Sequence, residues 1–344
     1  VPVRRGSWSV VMRPASSRRA VAGRSLVPVG PQARPVSSGT VAAWVLASVL
    51  LVLVLAATAG HWVRHPAVAR GHLDDPVVMP FHGAPAMALM TVGAGALLVG
   101  HRVIGTPAAL ALDTGLWTTG TLLGVATAVL VPLRFVRLHG LRLDAASGGW
   151  LMPVVPPMVS AATGAALVPH LPAGPAQQAM LVLCWALFAV TLLTSTLVIG
   201  LVMGRLVRHG VGPAAAVPTF FIVLGPLGQS VTAAHHLGVD GGTETFTLVL
   251  GLPVLGLALT WLVVAATIVA RTARAGLPFS LTWWSFTFPV GTVVTGASGL
   301  AAITGSLVLQ GIAVGLFVLL LVAWLVVATR TARGVFSGRL LRRP

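Results

Sequence analysis

The chain has no lysine, no tyrosine and one cysteine, and only six of its 344 residues are Asp or Glu. A lone Cys184, set inside an apolar run, excludes a disulfide framework and a thiolate metal site. The six carboxylates are Asp74, Asp75, Asp113, Asp144, Asp240 and Glu244, and all read as loop or helix-end residues. No nucleophile–base or metal constellation accompanies them, so the chain is not expected to be an enzyme. Charged residues make up 8% and apolar ones 56%, with a mean hydropathy of +0.95, which describes a chain that dissolves in lipid. The formal charge of +16 would suit a polyanion partner, but the 22 basic residues are all arginine. They stand in short clusters between apolar runs and form no face for a duplex, which excludes nucleic acid as a partner.

A bilayer core of about 30 Å needs about 20 apolar residues at helical rise. Nine such runs are present, near Val41–Trp62, Ala84–Val103, Ala109–Leu133, Met152–Val168, Ala176–Leu206, Gly212–His235, Thr245–Ala270, Leu281–Ile303 and Gly305–Ala328. The loops after every second run carry the arginines: Arg64 and Arg70; Arg134, Arg137 and Arg142; Arg205 and Arg208; Arg271 and Arg274; and the tail from Arg330 to Arg343. The intervening loops hold only Arg102. Short cytoplasmic loops accumulate Arg, so the C-terminus is expected in the cytoplasm of a multi-pass protein of the inner (plasma) membrane. The same rule puts the Arg-rich N-terminus inside, which calls for a tenth helix before Val41. Arg and Pro interrupt every stretch there, so residues 1–40 are expected not to span, 41–329 to form the transmembrane domain and 330–344 a basic tail.

Every second run also carries proline among small residues: Pro85, Pro156 and Pro157, Pro226, and Pro289, with Pro85, Pro157, Pro226 and Pro289 at intervals of 72, 69 and 63 residues. That spacing is a repeat of helical hairpins. Proline inside a membrane helix frees a backbone carbonyl, tolerable only against protein or a water-filled cavity. The Pro-bearing helices are therefore expected to surround a central path. Their partners, rich in Leu and Val and mostly without interior proline apart from Pro253, form the lipid-facing ring. With no carboxylate at mid-membrane, a cation path is disfavoured. A lumen of hydroxyls, small residues and broken-helix ends, with arginines at its mouth, suits a small anion. Expected lining residues are Pro85, Thr91, Pro157, Ser160, Thr163, Pro226, Gln229, Ser230, Thr232, Pro289, Thr292 and Thr295. The ten histidines, including the adjacent His235 and His236, lack the spacing and added carboxylate of a metal centre, and no metal or cofactor is expected. Trp283 and Trp284 read as an interfacial belt. Phe286 and Phe288, just before Pro289, can pack in the core or plug a narrow lumen.

The stretches Trp283–Thr292 (WWSFTFPVGT), Leu224–Ser230 (LGPLGQS) and Pro156–Ala165 (PPMVSAATGA) resemble the tellurite-resistance/dicarboxylate transporter family, related to the malic-acid and sulfite permeases and the slow anion channels. The resemblance runs from about Val41 to Ala328. It implies an all-α fold of ten transmembrane helices as five hairpins around a central pore, usually in a homotrimer. It also implies a pore-occluding phenylalanine, which maps to Phe288, with Phe286 as the alternative register. Substrates of the family range over C4-dicarboxylate, sulfite, tellurite, nitrate and chloride; for this chain channel-like passage of a small anion is expected, with an ion-coupled secondary exporter of organic or toxic anions as the alternative. The chain departs from the family at its first helix. A Thr-Gly-Ile-Val-like motif read one base out of frame becomes Pro-Ala-Ser-Ser, the residues at 14–17. Residues 13–38 are accordingly expected to be an out-of-frame stretch.

Overall fold

The computed structural model describes residues 38–240 and 244–338, and all the regular structure in them is helical. The expectation about residues 13–38 lies outside the described residues except at Ser38. The chain order is α1 (Ser38–Arg64), the short α2 (Pro66–Gly71), α3 (Ala84–Gly95), the short α4 (His101–Ile104) and α5 (Thr106–His139). It continues with α6 (Pro156–Ala165), α7 (Pro175–His209), α8 (Leu224–Asp240), α9 (Glu244–Arg274), α10 (Phe288–Thr304) and α11 (Leu307–Phe336). A turn of π-helix over Ala96–Gly100 joins α3 to α4.

Among the described residues, eight helical stretches are long and apolar enough to cross a membrane. The fourth expected run, Met152–Val168, is not one helix. A 3-10 turn at Gly148–Leu151 precedes it, and the run itself holds the ten-residue α6 and the start of a second 3-10 turn at Val168–His170. Pro153, Pro156, Pro157 and Pro169 remove amide donors and clash with the preceding turn, so hydrogen bonding cannot run through. The element survives because it is buried almost throughout, where neighbouring helices surround its broken backbone.

The prolines of the repeat mark one recurring device. Each inner helix opens with a 3-10 segment, at Met79–Gly83, Gly148–Leu151, Ala214–Val223 and Leu281–Phe286. Each then becomes α-helical beside its proline, in α3, α6, α8 and α10. A proline in the first helical turn wastes no hydrogen bond, since that amide has no intrahelical partner. The 3-10 segments pack on one another in chain order. A methyl at Gly83 would collide with the Met152 carbonyl oxygen, and one at Gly148 with that of Thr219. Thr282 donates its hydroxyl to the Ala215 carbonyl at 2.9 Å.

Four hairpins result, α3/α5, α6/α7, α8/α9 and α10/α11, each pairing a small-residue inner helix with a Leu- and Val-rich outer one. The inner helices pack in the order α3, α6, α8, α10. α1 lies on α3, with the Trp44 indole fitted against Gly95 and Gly100 and donating to the Val92 carbonyl at 3.1 Å. The outer helices expose Leu122, Leu193, Val263 and Leu325 to the surroundings, as a lipid-facing surface requires. Pro132 lies inside α5 as Pro253 does inside α9, so the outer ring has two interior prolines.

Hydropathy ends at the arginines, but the helices do not. α5 and α7 run 34 and 35 residues, carrying Arg134, Arg137, Arg205 and Arg208 within them. α11 continues to Phe336 and takes Arg330 and Arg333 out of the expected tail. Basic residues in the last turns of α5, α7, α9 and α11 also suit the negative end of the helix dipole.

Outer helices are tied to inner ones by buried indoles. Trp117 of α5 donates to the Ser160 carbonyl of α6 at 2.9 Å, and Trp261 of α9 to the Phe220 carbonyl at 2.8 Å. Trp117→Phe keeps most of the packing and loses the donor. It is expected to cost about 1–2 kcal/mol, read as a lower midpoint of thermal unfolding in detergent; an unchanged midpoint would remove the hydrogen bond from this account.

Candidate functional site: the inner helices

On α3, Pro85, Ala88 and Thr91 form an exposed stripe one turn apart, and the Thr91 hydroxyl donates to the Met87 carbonyl at 2.8 Å. On α10 the matching stripe is Thr295, Ser298 and Ala302. Small side chains whose hydroxyls satisfy their own helix leave room and modest polarity along a path. On α6, Pro157 and Ser160 are buried, with the Ser160 hydroxyl 3.2 Å from the Pro156 carbonyl and 3.1 Å from the Met90 sulfur of α3. Thr163 is half-buried and donates to the Val159 carbonyl.

The other expected residues meet where α8 crosses α10. Gly228 and Gly296 let the backbones touch: a methyl on Gly228 would stand within 3 Å of the Val293 nitrogen and the Thr292 hydroxyl. Thr292, buried, points its hydroxyl at carbonyls of Leu224, Gly225 and Pro289. Thr232 reaches across to the Thr295 hydroxyl at 2.7 Å. Pro226, Gln229, Ser230 and Pro289 are buried around this crossing, with Ser230 donating to the Leu227 carbonyl. The structure thus gathers Thr232, Thr292 and Thr295 into one interhelical clasp and places Ser160 apart, on the α3 side.

Phe286 and Phe288 occupy different surroundings. Phe286 is wedged edge-on between Phe221, 4.9 Å away, and Trp283, 5.7 Å away. Phe288, half-buried as the first residue of α10, makes no ring–ring contact among the described residues. Trp283 lies under the Arg330 guanidinium at 4.8 Å, and Trp284 donates to Thr331.

Two titratable features correct the reading of the sequence. Asp113 is not a helix-end residue: α5 begins at Thr106, and the carboxylate is wholly buried against Gly93 of α3, without a hydrogen-bond partner among the described residues. His61 and His65 do have the i, i+4 spacing, and their rings lie 5.7 Å apart with His72 stacked on His61 at 5.6 Å. No group of three or more His, Cys, Asp or Glu among the described residues is arranged to hold a metal. At the other end of the bundle His236 of α8 donates from Nδ1 to the Ala162 carbonyl of α6 at 2.7 Å. His235 fills the notch left by Gly299 of α10. Outside the spanning segments, the Arg142 guanidinium hydrogen-bonded to Asp144 holds that carboxyl below its usual range. Both groups are exposed, so the pair adds little stability.

A profile of the voltage-dependent anion channel family matches residues 9–332. Two uncharacterized transporters of Methanocaldococcus jannaschii are 24% and 23% identical over 285 residues, 82% of this chain and 81% and 80% of theirs. A sulfite efflux pump of Arthroderma otae is 24% identical over 233 residues, 63% of this chain and 61% of its own. These matches agree with the resemblance carried by the Pro156, Leu224 and Trp283 motifs. Nearly the whole hairpin array is covered, and the chain belongs to the voltage-dependent anion channel family, a multi-pass membrane protein of a family that moves anions across membranes.

Proposed function

We propose that this protein passes small anions across the plasma membrane along the inner helices α3, α6, α8 and α10, as a channel gated by Phe288. The observation that carries this reading is the fourfold recurrence of a proline-marked 3-10 to α junction, with exposed small and hydroxyl side chains on α3 and α10. Helix N-termini at those junctions carry partial positive charge, and arginines crowd the same end of the bundle, which we take as cytoplasmic together with the C-terminus. Sulfite leads the substrates because related fungal proteins are sulfite efflux pumps. C4-dicarboxylate, tellurite, nitrate and chloride follow from the motif resemblance. Assembly as a homotrimer would cover part of the exposed Leu and Val surface.

A second reading, an ion-coupled exporter, is favoured by buried Asp113 and by His235, titratable groups inside spanning helices. The test is flux in proteoliposomes under an imposed potential. The channel reading expects chloride, nitrate, sulfite and malate to move down their own gradients with no accompanying proton flux, and potassium to be excluded. Anion movement strictly tied to protons would favour the exporter; no anion flux from folded protein would overturn both.

A further inference from the structure

Arginine keeps its charge under all physiological conditions, and burying that charge is costly unless something negative accompanies it. Arg205, in the closing turns of α7, is 6% exposed. No carboxylate pairs with it among the described residues: the ion pairs there are Arg134 with Asp74 and Arg142 with Asp144. Its Nη1 donates to the Ala146 carbonyl at 3.1 Å, and its Nε is buried without a partner. Gly212, with φ at +76°, brings its backbone flush against Nη2, where a methyl would collide with the guanidinium. The C-terminal dipole of α7 offsets at most about half a unit charge.

The edge of the guanidinium that carries Nε and Nη2 is the one that grips two oxygens of a carboxylate, sulfite or phosphate side by side. Here that edge makes no hydrogen bond among the described residues, while Nη1 alone fixes the group in place. Ala146 and Gly212 lie two residues before the 3-10 segments that open the second and third inner helices. We propose that Arg205 binds a small oxyanion on its Nε/Nη2 edge at the Arg-rich end of the inner helices. As a loading site the role rests on the proposed anion path; the binding itself does not. The same chemistry fits a free oxyanion such as sulfite or the phosphate of a lipid headgroup.

The test uses the purified full chain in uncharged detergent, with thermal unfolding followed during titration with sodium sulfite and, separately, with phosphatidylglycerol. A saturable rise of about 4 °C is expected, retained weakly in Arg205→Lys, which keeps charge but not the paired donors, and lost in Arg205→Gln. Gly212→Ala, which displaces the guanidinium and leaves its charge, should also lose it if the glutamine variant fails to fold. A rise with sulfite identifies the free anion, and a rise with the lipid alone identifies the headgroup. Equal rises in wild type and all three variants, or none in wild type, overturn the proposal. In proteoliposomes, a KM for sulfite raised about tenfold in Arg205→Lys with the maximal rate kept marks loading. Flux lost in wild type while sulfite binding persists strikes the pathway and not this site.

Discussion

Phe288→Ala is expected to raise anion flux on the order of tenfold or more, since a plug contributing only about 1.4 kcal/mol to the barrier already sets a factor of ten. The ring is half-buried and has no aromatic partner among the described residues, so its removal should cost the fold about 2 kcal/mol or less. Phe286→Ala is the control. That ring is held by Phe221 and Trp283, and its loss should lower the unfolding midpoint by more while leaving flux unchanged. Nitrate and chloride currents measured side by side in the two variants decide it. A rise in Phe286→Ala with none in Phe288→Ala would move the gate two residues back.

Gly228→Ala is expected to cost about 3 kcal/mol, although alanine normally stabilises a helix relative to glycine. The added methyl has no exit, because what it meets is α10 backbone at Thr292 and Val293. The clasp from Thr232 to Thr295 and from Thr292 to Leu224 would open with it. Gly225, one turn earlier, would place its methyl 4.0 Å from the Pro289 ring, an ordinary contact. Gly225→Ala should therefore be neutral or better, while Gly228→Ala lowers the unfolding midpoint by roughly 6 °C or more. Equal midpoints would show that α8 and α10 can slide apart freely.

The hairpin repeat was legible because proline acts locally: Pro85, Pro157, Pro226 and Pro289 are accommodated in the first turn of a helix, so each marks where an inner α-helix starts whatever surrounds it. Composition likewise separates inner from outer helices, since Leu and Val face lipid and Gly and Ala face backbone. Contacts between distant segments were not legible. Nothing in the order of residues says that Gly83 abuts Met152, or that the Thr292 hydroxyl spends its bonds on α8. Asp113 was misplaced because hydropathy begins at Ala109 while hydrogen bonding begins at Thr106, and because only packing shows that Gly93 opens a pocket for it. Arg205 reads as one more topological arginine; the backbone packed against its guanidinium, at Gly212, lies outside the helix that carries it.

The crossing of α8 and α10 has a kinetic consequence. Two helices in backbone contact, with hydroxyls exchanged across the seam, move as one body, and parting them would require breaking several bonds together. A gate mounted on such a pair has no cheap rigid-body swing and is left with rotation about the χ angles of one side chain. Side-chain rotations run on picosecond to nanosecond scales when exposed, whereas collective helix motions take microseconds to milliseconds. Current through a pore built this way would vary shallowly with temperature, its noise dominated by rapid flicker.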